Sequence, residues 1–251
     1  MYTMSEIKCH ICNNNTFSSY FKHVEWKKQT LKCNNCNHVA LYNSKKNIQS
    51  SKNFSTNKNR AVRYLSYLKN LEFNSLLEIG TPTDFYFLKQ LHKIKPKCEL
   101  YSFDIFKKSN IPNYLNCITL DKTYTDDADI TIDLLDKLKD RHFDLIYATH
   151  VLEHIPNINV FINILKHTNY FIFEIPIYND KYFNKALNEQ LTTTSYHYQF
   201  FNKENTIKFF KKHNIKCWIY LIDVKTTPFN KGNITITNYD CSFSKDYRKL
   251  L

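Results

Sequence analysis

The sequence predicts an α/β fold: a mostly parallel sheet of seven strands with an antiparallel hairpin strand at its C-terminal end, preceded by a small cysteine-bearing segment. Strand-like and helix-like segments alternate from about residue 60 onward, which implies parallel strands joined by helices. The last two β-rich segments have only a loop between them, which implies an antiparallel pair. Four cysteines stand ahead of this region in two close pairs.

The elements follow in order. Residues 1–42 hold the cysteine pairs, and residues 43–59 (NSKKNIQSSKNFSTNKN) are polar and basic, the profile of a linker. Ser75 to Gly80 (SLLEIG) is a short apolar run stopped by glycine, hence a buried strand and a tight turn. A helix is predicted over Thr83 to Lys95. The second strand is Glu99 to Asp104 (ELYSFD), the third Ile130 to Asp133 (ITID), and the fourth Phe143 to Thr149 (FDLIYAT). Pro156 to His167 reads as an amphipathic helix with proline in its first turn. Tyr170 to Ile175 is the fifth strand, residues 177–200 are irregular and aromatic, and Lys203 to His213 is helical. Ile215 to Val224 and Ile234 to Tyr239 complete the sheet.

Composition narrows the chemistry. Of 251 residues only Gly80 and Gly232 are glycine, where average usage would give roughly eighteen. A Walker phosphate loop or a three-glycine dinucleotide fingerprint needs several glycines close together, so both are excluded. The longest apolar stretches, near Tyr170–Tyr178 and Cys217–Val224, are broken by Glu174 and Asp223, so no membrane span is expected. The N-terminus lacks a basic region followed by an apolar stretch, and a cytoplasmic protein with reduced thiols is expected. The net charge of +12 suits a polyanionic partner, but the lysines are dispersed and solubility accounts for them as well.

Cys9-x-x-Cys12 and Cys33-x-x-Cys36 are separated by twenty residues, the spacing of a four-cysteine zinc ribbon. Each pair wraps one side of a tetrahedron, and four thiolates leave no open position, so the zinc would be structural. His10 and His38 lie beside the ligands as possible substitutes. Cys98, Cys117, Cys217 and Cys241 are scattered and read as small core hydrophobes.

In open α/β sheets ligands bind beyond the carboxyl ends of the strands, where the strand order reverses. Glu78, Gly80, Asp104, Asp133 and His150 fall at or near such ends. Gly80 would let backbone approach a ligand closely. Asp104, 24 residues later, is placed to accept from ribose hydroxyls, and Asp133, with Asp129 as rival, to hold an adenine amino group.

These residues carry a resemblance. LLEIG (76–80), Asp104, FDLIYATHVLEH (143–154), FIFEIP (171–176) and HYQFF (197–201) together resemble the class I S-adenosylmethionine-dependent methyltransferases over residues 60–251. With CNNCNHVALY (33–42), the leading ribbon resembles one found ahead of such domains in surface-glycan biosynthesis methyltransferases. The resemblance implies a Rossmann-like seven-stranded methyltransferase sheet and an S-adenosyl-L-methionine site at Glu78, Gly80, Asp104, Asp133 and Thr149. It implies methyl transfer to a hydroxyl of a sugar or glycan precursor. The family's cofactor loop usually runs glycine, any residue, glycine, any residue, glycine; here it reads Gly80, Thr81, Pro82, Thr83, Asp84.

A hydroxyl acceptor must lose its proton, a task suited to histidine near neutral pH. His150, His154 and His197 are the candidates; Glu174 could orient one of them, and Tyr178, Tyr182, Tyr196 and Tyr198 could line an acceptor pocket. The alternatives are an RNA base methyltransferase, favoured by the basic charge and a leading ribbon, and a non-catalytic scaffold with a degenerate cofactor site. A nicotinamide fold is disfavoured by the missing glycines.

Overall fold

The computed structural model describes residues 7–23, 28–42, 57–105, 109–119, 130–177, 197–222 and 233–238. At the front, β1 (Phe17–His23), β2 (Lys28–Cys33) and β3 (Val39–Tyr42) form an antiparallel ribbon. Helix α1 (Lys58–Leu68) starts where the Asn57 side chain accepts the Arg60 N–H, a regular N-cap. Its buried residues Ala61, Tyr64 and Leu68 keep helical spacing, so one face packs inward. Then come β4 (Ser75–Ile79), α2 (Tyr86–Ile94), β5 (Glu99–Phe103), β6 (Leu115–Ile118), α3 (Ile130–Leu138) and β7 (Phe143–Thr149). Helix α4 (Ile158–Phe161), β8 (Thr168–Pro176), β9 (Gln199–Phe200), α5 (Lys203–Lys212), β10 (Trp218–Ile222) and β11 (Asn233–Thr237) complete the order.

The main sheet has seven strands in the order β10-β11-β8-β7-β4-β5-β6. Pairs β4/β5, β4/β7, β5/β6 and β7/β8 are parallel, while β11 runs antiparallel to both neighbours. The expected mostly parallel α/β sheet is therefore present. The last strand lies inside it, with β10 at the edge and every residue of β11 buried. The chain leaves β4 in one direction and later returns to its other side as β7, so the switch point lies between the ends of β4 and β7.

Alternation along the strands builds a core on each face. Leu145, Tyr147 and Ile172 pack with Tyr64 and Phe87 from α1 and α2, whereas Ile146, Ala148 and Phe173 pack with Leu134 and Phe209 from α3 and α5. Glu174 has the parity of Ile172 and so points toward α1.

Two predicted elements are corrected. Ile130 to Asp133, read as the third strand, is the start of α3. Leu134 and Leu138 are buried four residues apart, so the helical period outweighs the β-branched residues that suggested a strand. The third parallel strand is β6, which carries no apolar run in the sequence because only Leu115 and Ile118 of its four residues are buried. The helix expected over Pro156 to His167 divides into α4, capped by Asn157, and a 3-10 segment at Ile162–His167. Among the described residues no helix is long and apolar enough to cross a membrane.

Candidate active site and metal centre

The carboxyl ends of β4, β5 and β7 bring several of the predicted residues to one edge. Gly80 follows β4 with φ +74°, a conformation costly for residues with a Cβ, and its N–H donates to Phe103 O at 2.8 Å. A Cβ there would lie 2.6 Å from Val151 Cγ2, so the turn after β7 packs directly on the glycine. Glu78 is buried within β4, half-buried Asp104 follows β5, and half-buried Thr149 ends β7 opposite Glu174. Asp133 lies in the first turn of α3 rather than at a strand end, which corrects its expected placement. Its rival Asp129 lies outside the described residues.

The loop after Gly80 takes a course of its own. Thr81 is buried and its hydroxyl donates to Glu78 O at 3.0 Å; Phe85 N–H donates to Pro82 O at 3.2 Å. The Asp84 carboxylate accepts the Tyr86 N–H at 3.1 Å, so the acid that replaces the last family glycine helps to start α2.

After β7 the chain enters a short 3-10 turn, Leu152–His154, through His150 at φ +55°. This strained entry sends His150 one way and Glu153 inward. Glu153 is completely buried, with His150 Nδ1 at 3.3 Å from Oε1 and His154 Nε2 at 3.9 Å. His197 stands edge-on to His154, ring centroids 4.6 Å apart. The three histidines that the sequence offered as rivals thus surround one carboxylate. Burial alone would raise the Glu153 pKa, but the contact with His150 and the charges of His154 and His197 hold it at about 2.

His150 also meets β8 and α1. Its N–H donates to Glu174 O at 2.8 Å, and its Nε2 accepts from Arg60 Nη2 at 2.8 Å while lying 3.6 Å from Glu174 Oε1. Burial pulls the His150 pKa down, but Glu153 and Glu174 outweigh it and the net shift is upward.

Glu174 is the hub of this side. Its Oε1 accepts from Arg60 Nε at 2.9 Å and Asn233 Nδ2 at 2.7 Å; its Oε2 accepts from Arg63 Nη2 at 2.5 Å and from the Tyr64 hydroxyl. Burial opposes ionisation, yet His150, the two guanidiniums and Tyr64 hold the Glu174 carboxyl at about 2. Arg60, Arg63 and Tyr64 were missed in the sequence because the basic linker runs into them. The signal available was Asn57 as a cap, with both arginines three residues apart on one helical face.

In the ribbon, Cys9, Cys12, Cys33 and Cys36 bring their sulfurs within 4.8 Å of one another, with Cys9–Cys36 at 3.6 Å and Cys12–Cys33 at 3.5 Å. Disulfide sulfurs lie at about 2.05 Å, whereas sulfurs about 2.3 Å from a tetrahedral zinc are about 3.8 Å apart. The four thiols fit zinc. The two pairs form matching knuckles. Asn13 and Asn37, each following the second cysteine, have φ near +60° and donate their N–H to the first cysteine's carbonyl at 2.9 Å. Asn at this left-handed position was a legible signal of both knuckles.

His10 and His38 are not in the sulfur cluster. Gln199 takes both: its Oε1 accepts from His38 Nε2 at 3.0 Å, and its Nε2 donates to His10 Nδ1 at 3.0 Å and to Pro156 O at 2.9 Å. Burial drops His38 to about 4, which keeps it a neutral donor. Because β9 also pairs with β3, the ribbon is hydrogen-bonded to the strand that lies two residues after His197. Cys98 is buried and Cys117 and Cys217 are half-buried, in keeping with packing roles. Tyr198 is buried beside β9; Tyr178, Tyr182, Tyr196 and Cys241 lie outside the described residues.

A family model described as a methyltransferase domain matches residues 51–219, more than half of the chain. The chain belongs to this methyltransferase family. With the seven-stranded topology above, it is an S-adenosylmethionine-dependent methyltransferase. Solved structures similar to it include the plantazolicin methyltransferase BpumL with a monoazolic desmethylPZN analog and SAH (15% identity, 72% of this chain and 87% of that one, TM-score 0.45). Magnesium protoporphyrin IX methyltransferase (ChlM) from Synechocystis PCC 6803 with bound SAH is also similar (13% identity, 72% and 83% covered, TM-score 0.49). A third is a cyclopropane-fatty-acyl-phospholipid synthase-like protein from Lactobacillus casei ATCC 334 (10% identity, 74% and 94% covered, TM-score 0.46). No curated protein matches the sequence.

The methyltransferase brings Glu78, Gly80, Asp104 and Thr149 to the edge that also carries His150, with Val151 packed against Gly80. The Glu78 and Asp104 carboxylates and the Thr149 hydroxyl supply acceptor oxygens, the chemistry that suits ribose hydroxyls and an ammonium group.

Proposed function

We propose that this methyltransferase O-methylates a hydroxyl of a sugar or glycan precursor, with the cofactor over Gly80 and the acceptor before His150. Bound there, S-adenosyl-L-methionine supplies an electrophilic methyl for an in-line displacement. Asp104 accepts from the ribose hydroxyls, and Glu78 and Thr149 flank the same edge. Asp133 has no part in this reading, because it stands in the first turn of α3.

His150 is the base. The Glu153 carboxylate, with Oε1 3.3 Å from its Nδ1 but no well-directed hydrogen bond, favours a proton on that nitrogen through its charge, which leaves Nε2 to take the acceptor proton. In the absence of an acceptor, Arg60 donates to that nitrogen. The observation that carries the reading is the gathering of His150, His154 and His197 around the buried Glu153 beside Gly80.

Residues 1–42 act as a structural zinc ribbon on Cys9, Cys12, Cys33 and Cys36, and 60–251 as the methyltransferase domain. Four reduced thiols suit a reducing, cytoplasmic setting. A labelled-methyl assay against sugar nucleotides and RNA tests the reading. Label in a sugar methyl ether that falls at least about a hundredfold in His150→Ala supports it, given the usual worth of a general base. Label in RNA, with affinity falling steeply with salt, overturns it in favour of the basic chain's nucleic-acid alternative.

A further inference from the structure

We propose that Glu153, His154 and His197 form a second metal site, distinct from the four-cysteine ribbon, that takes a divalent first-row cation at the acceptor side of the active centre. One carboxylate oxygen and two imidazole nitrogens lie within 4.8 Å of one another here. The Glu153 side chain is fully buried, and neither carboxylate oxygen receives a well-directed hydrogen bond from the described residues. His150 and His154 approach Oε1 at 3.3 and 3.9 Å, and Oε2 is left for another partner. A buried anion with an unsatisfied oxygen is costly, and a dication offsets that cost directly.

The backbone that carries the three groups is tied together. His154 N–H closes the 3-10 turn on Val151 O at 2.9 Å, and Tyr198 N–H, next to His197, donates to Glu153 O at 2.7 Å. Gln199 then holds Ile155 O and Pro156 O at 3.2 and 2.9 Å, and Leu41 N–H of the ribbon holds Tyr198 O at 2.8 Å. Ligands about 2.1 Å from a common ion are about 3–3.5 Å apart. Binding therefore asks the side chains to close by about 1 Å, and the His154 side chain, 38% exposed, has room to turn.

Two imidazoles and a carboxylate leave coordination positions open, unlike the closed ribbon site, and suit zinc, cobalt, manganese or iron(II). An acceptor hydroxyl bound at an open position becomes more acidic. Its proton passes to His150 Nε2 and its oxygen takes the methyl, so His154 and His197 act as ligands and His150 alone as base. This role rests on the proposed function; the site itself does not.

Cobalt(II) titration of the full, zinc-loaded chain without cofactor tests the site. The expected result is a second metal equivalent with d–d absorption and no thiolate-to-cobalt charge transfer, since the ligands carry no sulfur. Glu153→Gln and His197→Ala should each weaken that equivalent at least tenfold while ribbon zinc stays at one per chain. His197→Ala removes a half-buried side chain and serves if Glu153→Gln fails to fold. No second equivalent, a spectrum of thiolate exchange alone, or unchanged affinity in His197→Ala overturns the proposal. Cobalt binding that passes these tests, with no sugar methylated, leaves the site standing and removes the proposed acceptor class.

Discussion

Glu174→Gln is the perturbation that probes the site's framework most sharply. The carboxylate takes two donors on each oxygen, Arg60 and Asn233 on one and Arg63 and Tyr64 on the other. An amide has one acceptor oxygen, so either orientation turns an NH2 toward two donors. Tyr64 can turn its hydroxyl to Thr235 Oγ1, 2.7 Å away, which relieves one clash at most. The carboxyl is held at about 2 against an ordinary 4.5, which at 1.36 kcal/mol per unit is about 3 kcal/mol. Breaking a buried ion pair from one side costs about 3–5 kcal/mol, so the two routes agree. For a chain of this length that is a melting-point fall of about 6–20 °C. The contribution is complete above the unfolded pKa of 4.5 and disappears as pH falls toward 2, so wild type and variant should converge in acid. Urea unfolding followed by far-UV circular dichroism at pH 7 and pH 3 reads both effects. A gap under about 1 kcal/mol at pH 7, or one that persists undiminished at low pH, would refute the account of Glu174 as the paired hub.

Further outcomes follow from the same contacts. Gly80→Ala meets a left-handed backbone cost of about 1–2 kcal/mol and an overlap with Val151 Cγ2 worth about 1–3 kcal/mol. The urea midpoint should fall accordingly, and adding Val151→Ala should restore only the second part. Methyl transfer should decline on acidification with a midpoint above 6.5, because the base works unprotonated and His150 is shifted upward; a pH profile of kcat/KM shows it, and His150→Ala should flatten it. Elemental analysis should find one zinc per chain fewer in Cys33→Ser than in the wild type. Because β9 pairs with β3 and Gln199 holds both His10 and His38, that loss should lower the melting of the whole chain in calorimetry. A melting curve that splits into an unchanged main transition and a lost small one would contradict the coupling.

The parts of the molecule legible in the sequence share a physical signature. FDLIYAT and FIFEIP are long buried strands, and two CxxC pairs have little else to do, so spacing and alternation identify them. Ile130 to Asp133 misled because β-branched residues sit at the start of a helix whose buried positions, Leu134 and Leu138, come later. Strand β6 is half polar and carries no such run. The histidines were legible as candidates, but not as one cluster. Their union depends on His150 at φ +55° turning the chain, on Tyr198 bonded to Glu153 O, and on β9 joining the ribbon. These contacts span 45 residues or more, for example from Glu153 to Tyr198, and leave no periodic trace. Arg60 and Arg63 were hidden for another reason: in a basic chain, two arginines after a lysine-rich linker look like surface charge until Glu174 faces them.

In the proposed reading the carboxyl edge between β4 and β7 holds the cofactor, with Gly80 beneath it and Asp104 on its ribose. Calorimetric titration of the intact chain with S-adenosylhomocysteine tests this most directly. One site per chain is expected, weakened at least tenfold by Asp104→Ala at unchanged melting temperature. No binding heat in the folded wild type at any temperature tried, or equal affinity in Asp104→Ala, would contradict it.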